Sequence, residues 1–219
     1  MIRARAILIA GVLVLGFAND LPRAQTSVPL PARHASCNGE VDCLQKFPSV
    51  ATRAGDVLTL KLANGKTKTF TSNTTTDNVD EYVRYVLIGH YPARHSFVIS
   101  ARFDEGSSTI LVSSRTGHET ELIDEPRYSP SGKRMAAVIG CDAICENGID
   151  IWSATDPPTL EWRYRPAQYE LYEFVRWNGD DRLQMHVTMR VGTELRESLP
   201  VEAVRTRDGW KLLSPVLPQ

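Results

Sequence analysis

The chain carries few side chains suited to covalent chemistry, and their spacing argues against most of it. Four cysteines form two close pairs, Cys37/Cys43 and Cys141/Cys145. Neither pair has the C-x-x-C spacing of a zinc knuckle or a thiol redox couple, which makes a four-thiolate metal site the weaker reading. In an oxidising compartment the simplest of three connectivities joins Cys37 to Cys43 and Cys141 to Cys145. Loops this short gain only about 2 kcal/mol each in the chain-entropy model, so such bridges pin turns. His90 and His95 flank a Tyr-Pro-Ala-Arg turn at an offset that is no recognised ligand spacing, and read as surface or turn histidines. His34, His118 and His186 are scattered, outside any H-E-x-x-H pattern. Ser129 and Ser131 lie near Gly132 without a G-x-S-x-G elbow. Glu119/Glu121 and Glu170/Glu173 could serve sugar hydrolysis only if folding sets them at the right separation. No glycine-rich phosphate loop occurs, so nucleotide chemistry has no support. The sequence therefore predicts no catalytic constellation, no metal site and no cofactor.

Binding chemistry is better represented. Trp152, Trp162, Tyr164, Tyr169, Tyr172, Phe174 and Trp177 are seven of the seventeen aromatics, packed into 26 residues with Arg163, Arg165 and Arg176 among them. Aromatic and arginine mixtures are enriched at interface hot spots. The plainer reading for Trp152, Trp162 and Trp177 is core between sheets, with arginine stems over the rings. Arg165, Tyr169 and Tyr172, near the loop after Pro166, are left with Arg176 as the candidate binding residues.

The elements that must position these groups start with a leader. Arg3 and Arg5 precede an uncharged apolar run from Ala6 to Ala18, 13 residues long. A membrane-spanning helix needs about 20, so residues 1–18 read as a secretory signal cleaved after Ala18. Residues 19–36 hold Pro22, Pro29 and Pro31 without periodicity and read as a flexible lead-in, leaving 37–219 as one domain. No second apolar stretch of spanning length follows, so the mature chain is expected to have no membrane span. Hydrophobic content of 42% and charged content of 23% suit a globular domain. A net charge of −1, or −3 without Arg3 and Arg5, offers no footprint for nucleic acid.

From Val57 onward the chain alternates in short β-type runs. Leu58, Leu60 and Leu62 share one face, and Asn64-Gly65 is a two-residue hairpin signal. A short helical turn is expected at Val41–Phe47. Strands are expected at Tyr82–Ile88, Phe97–Arg102, Thr109–Ser113, Glu119–Ile123, Arg134–Ile139, Ile149–Ser153, Leu160–Tyr164, Glu173–Trp177, Leu183–Met189, Glu194–Leu199 and Trp210–Leu213. Such spacing, without a long helical period, argues an all-β meander. Ser96–Leu122, Lys133–Trp162 and Arg182–Leu213 each run strand, turn, strand, turn, strand, at offsets of 37 and 49 residues. Repeats of this length are the mark of propeller blades, which must stack to bury their apolar faces.

Tyr128-Ser129-Pro130-Ser131-Gly132-Lys133 resembles the F-S-P-D-G-K repeat of TolB-type, WD-like bacterial propellers, with Tyr128 for Phe and Ser131 for Asp. Trp177-Asn178-Gly179-Asp180-Asp181 is a distant echo of it. The chain as a whole is similar to small exported bacterial proteins of unassigned activity. The resemblance implies a protein partner in the cell envelope. The expectation is thus a propeller-like antiparallel meander of roughly three to four blades, open or incomplete, acting as a periplasmic or secreted interaction module. Two other classes remain open: a cell-wall sugar or peptide hydrolase, and an inhibitor of a lytic enzyme that presents a loop such as Ala143–Asn147.

Overall fold

The computed structural model describes residues 37–141, 146–166, 170–191 and 194–213. Over these residues the chain is all-β, in four antiparallel sheets that follow one another along the sequence. Sheet I contains β1 (Ala51–Ala54), β2 (Val57–Lys61) and β3 (Thr67–Thr71). Sheet II contains β4 (Arg84–Tyr91), β5 (Ser96–Arg102), β6 (Ser107–Ser113) and β7 (Glu119–Leu122). Sheet III contains β8 (Arg127–Tyr128), β9 (Arg134–Ile139), β10 (Gly148–Ser153) and β11 (Thr159–Tyr164). Sheet IV contains β12 (Glu170–Trp177), β13 (Arg182–Val191), β14 (Glu194–Thr206) and β15 (Gly209–Leu213). Within each sheet the strands lie in chain order, so each is a simple meander. The three expected repeats are therefore the last three strands of sheets II, III and IV, each preceded by one further strand.

Burial explains the strand sequences. In β5, Phe97 and Ile99 join an apolar cluster with Leu58 and Leu60 of sheet I. Val98, pointing the other way, joins Met135, Ala137 and Trp152 of sheet III. In β9 and β10, Ala136, Val138, Ile149 and Ile151 turn instead toward Leu183, Met185 and Trp210 of sheet IV. Sheets II and III are thus covered on both faces, which is why β5, β9 and β10 read as nearly unbroken apolar runs. Sheet I alternates: Leu58 and Leu60 are buried while Thr67, Thr69 and Thr71 are exposed. Each fully buried aliphatic or aromatic side chain stabilises by about 1.5–3 kcal/mol, so the contacts between sheets hold the assembly.

The expected short helix is α1 (Glu40–Lys46), which packs on β4 and β1. Its buried Cys43 is joined to Cys37 with Cα atoms 5.1 Å apart, as the spacing predicted. Glu40 anchors the helix: its Oε1 accepts from the Leu87 amide at 3.1 Å and from Arg53 at 2.6 Å. Among the described residues no helix is long and apolar enough to cross a membrane. The leader and lead-in, 1–36, lie outside the described residues, as does Cys145 with the pairing expected for it.

Two local expectations are corrected. Asn64-Gly65 does not form a two-residue turn; residues 62–66 link the strands, with Leu62 N donating to Lys66 O at 2.8 Å and Gly65 N to Leu62 O at 3.0 Å. The longer link lets Leu62 reach the core, where it is 5% exposed. Strand β14 continues through Pro200, which the sequence placed beyond a strand end. β15 begins to pair only at Glu202, so Pro200 has a neighbouring strand, β13, on one side only, the edge-like position that tolerates proline.

Candidate functional site

The two ends of the sheet II–sheet III pair are built differently. The first end carries the β4–β5, β6–β7 and β8–β9 turns. In the Tyr128–Lys133 motif, Gly132 takes φ +70° and its amide donates to Ser129 O at 2.8 Å, while Ser129 N donates to Arg134 O at 2.9 Å. Arg94, from the β4–β5 turn, lies directly over Gly132 and donates to its carbonyl at 2.8 Å. A Cβ on Gly132 would fall 1.5 Å from Arg94 Nη2, so a larger residue would displace the guanidinium, and the positive φ itself favours glycine. Ser131 reaches the other way and donates to Asp180 Oδ2, in the β12–β13 turn, at 2.6 Å. The motif is therefore the middle link of three chained turns. Ser113 Oγ donates to Asp156 at 3.0 Å, and Ser96 lies 3.4 Å from the Tyr128 hydroxyl, adding further ties between sheets II and III. Only about 20 Å³ is left open among them.

At the opposite end the same two sheets part around a cleft of about 920 Å³. Its walls come from the β5–β6 turn (Phe103, Glu105), the end of β7 (Glu121, Leu122), and Ile139, Glu146, Arg163 and Arg165 of the sheet III side. The volume lies within the ~300–1,000 Å³ range of ligand sites. Phe103 is 44% exposed although aromatic.

One buried carboxylate organises the sheet III wall. Asp150 is fully buried in β10, opposite Arg163 in the β10–β11 register. Arg163 donates to both its oxygens, at 3.0 and 2.9 Å. Arg165, two residues on and on the same face, also donates to both, at 2.8 and 3.3 Å, and its Nε donates to Glu146 at 2.6 Å. The space Arg165 occupies exists because residue 148 is glycine: a Cβ there would lie 2.8 Å from Arg165 Nη1 and 2.4 Å from Tyr164 O. The hydrogen bond to Asp150 raises the pKa of Arg163. Burial lowers that of Arg165, but its bonds to Asp150 and Glu146 outweigh it and the net direction is up. Bidentate pairs of this kind fix orientation as well as charge, so both guanidiniums are set in place before any ligand arrives.

The sequence candidates are dispersed. Arg165 lines the cleft. Tyr172 is 4% exposed, in the apolar cluster between sheets III and IV, and its hydroxyl donates to Glu170 at 2.6 Å. Burial and that bond raise its pKa. Arg176 is exposed on β12 and donates to Gln184, away from the cleft. Tyr169 lies outside the described residues. Trp152 and Trp177 are core, as read, and Trp162 packs against the sheet III–IV cluster.

His90 corrects the expectation of a surface or turn histidine: it is 8% exposed, stacked on Phe97 at 4.5 Å with Phe47 edge-on at 4.9 Å. Burial lowers its pKa. His95 does sit in a turn, with φ 52°. The glutamate pairs do not converge, since Glu119 is held by Lys68 and Glu170 by two tyrosine hydroxyls, while Glu173 is exposed.

Sequence reasoning missed Asp150 and Phe103. The signal for Asp150 was present: a lone carboxylate at a core position of Gly-Ile-Asp-Ile-Trp, with an arginine on the next strand. The fold and site define an all-β protein of four successive meanders with a pre-set arginine–carboxylate cleft. No family model matches the chain, and no curated protein or solved structure matches it either.

Proposed function

We propose that this chain is an exported, non-catalytic binding module of the bacterial periplasm, built as a propeller-like stack of four blades, whose ligand is a protein of the cell envelope. The observation that carries the reading is the cleft between sheets II and III. It combines an exposed aromatic, apolar walls and two guanidiniums fixed by a buried carboxylate. Arrangements of that composition suit recognition, because ordering costs are met before the partner arrives. Among the described residues, Arg163 and Arg165 supply four hydrogen bonds to Asp150, which makes this carboxylate a positioning group. The blade reading draws support from the chain-order meanders and from the Tyr128–Lys133 turn. The periplasmic reading draws support from the leader composition.

The test places a photo-crosslinking residue at Phe103, in the cleft, or at Thr69, on the exposed face of sheet I. Each protein is irradiated in envelope extract, with and without excess unlabelled protein. The reading predicts a discrete, competable protein adduct from position 103 and none from position 69. Equal labelling from both positions, or no competable adduct from 103, would count against it.

A further inference from the structure

We propose that the occupant of the sheet II–III cleft is an extended protein segment carrying lysine or arginine beside an apolar or aromatic residue. This rests on the reading of the cleft as the binding surface and adds the chemistry of the partner. Three carboxylates, Glu105, Glu121 and Glu146, face two guanidiniums, Arg163 and Arg165, with Asp150 buried behind them. The guanidiniums are already neutralised: Arg163 by Asp150, and Arg165 by Asp150 and Glu146. Among the described residues neither Glu105 nor Glu121 makes an ion pair, and both are exposed. The field that an arriving chain meets is therefore negative, which steers cations in and anions away.

Apolar surface lies between those charges. Phe103, Ile123 and Ile139, none of them buried, line the same cleft, so a segment offering only charge would leave them wet. β7, which carries Glu121 and Leu122, is the edge strand of sheet II, and among the described residues one of its backbone edges pairs with no strand. An edge beside a cleft favours an extended segment, whose alternate side chains can point to the glutamates and to Phe103. The competing occupant is an acidic segment reading the half-exposed Arg163, whose positive charge is the least covered of the two.

The experiment is a fluorescence-anisotropy titration of the full chain with two dye-labelled peptides, Gly-Lys-Leu-Lys-Leu-Lys-Gly and its glutamate counterpart. The basic peptide is expected to bind, the acidic one at least roughly tenfold more weakly, and added salt to weaken the basic complex. The double variant Glu105→Gln/Glu121→Gln should weaken the basic peptide by roughly fivefold to tenfold, and Phe103→Ala should weaken it independently. All three positions are exposed, and an unchanged circular dichroism spectrum checks that the fold is kept. Equal or tighter binding of the acidic peptide overturns the proposal, as does basic binding indifferent to the double variant. If the position-103 adduct forms but the basic peptide does not bind, the charge inference alone fails. If both are absent, the cleft reading fails with it.

Discussion

Sheets II and III meet twice, once closed and once open, and the contrast separates what holds the fold from what is available for function. At the closed end Arg94 bonds to Gly132 and Ser113 to Asp156 across the boundary, leaving about 20 Å³ between the sheets, while Ser131 carries the chain of turns on to Asp180 of sheet IV. At the open end the polar groups bond within sheet III, Arg163 and Arg165 to Asp150, and about 920 Å³ stays empty. Polar groups bonded across a boundary close it. The same kinds of group bonded along one wall stiffen that wall and leave the boundary free. The apolar cluster of Val98, Met135, Ala137 and Trp152 packs the two sheets together.

The largest expected effect is at the open end. Asp150→Ala strands Arg165 partly buried beside an emptied site, and should cost about 3–5 kcal/mol in a denaturant melt. Replacing Arg163 and Arg165 by methionine in the same variant should recover much of that stability. At the closed end, Gly132→Ala should cost about 1–3 kcal/mol, because φ +70° strains an L residue and Arg94 must move. A smaller loss, about 1 kcal/mol, is expected for Ser131→Ala, which removes the bond to Asp180. Burial raises the Asp180 carboxyl, but the Ser131 and Ser129 bonds outweigh it and hold it below the usual carboxylate value. Ser131→Ala should therefore shift the Asp180 titration upward in an NMR pH series.

His90 supplies a pH test. Its folded pKa is lowered from 6.5 by burial, so between that value and the lower folded one the unfolded chain binds more protons. Stability conferred by the neutral, buried imidazole is fully present above about pH 6.5 and falls as pH drops toward the folded pKa. The variant His90→Phe should lose that segment of the pH–stability curve while keeping the losses due to carboxylates. The smallest change is expected for Phe103→Ala: within about 0.5 kcal/mol in stability, with weaker cleft binding.

Much of this architecture was legible in the residues. β9 falls at Arg134–Ile139 as read, and the Leu58/Leu60/Leu62 face is buried. In each case a period of two, set by one buried face, is strong enough to show in a single sequence. β1 was not legible, because Ala-Thr-Arg-Ala has no pattern of its own and exists through pairing with β2. The site was only half visible. Arg165 stood out among aromatics, yet what fixes it is Asp150, fifteen positions earlier and brought close by the β10–β11 hairpin. Tyr172 carries the same composition signal as Arg165 but belongs to β12 and is buried against sheet III, and which face a strand residue takes is not written in aromatic density.

The contrast between the two ends is tested most directly by residue-resolved hydrogen exchange on the full chain, alone and with the lysine–leucine peptide. The account predicts slow amides in the chained turns, at Arg94, Ser113 and Gly132, and faster ones at Phe103–Ser107. Peptide should slow exchange only around Phe103–Ser107, Glu121–Ile123 and Arg163–Arg165. Equal protection of both ends in the free protein, or peptide-induced slowing centred on the chained turns, would contradict it.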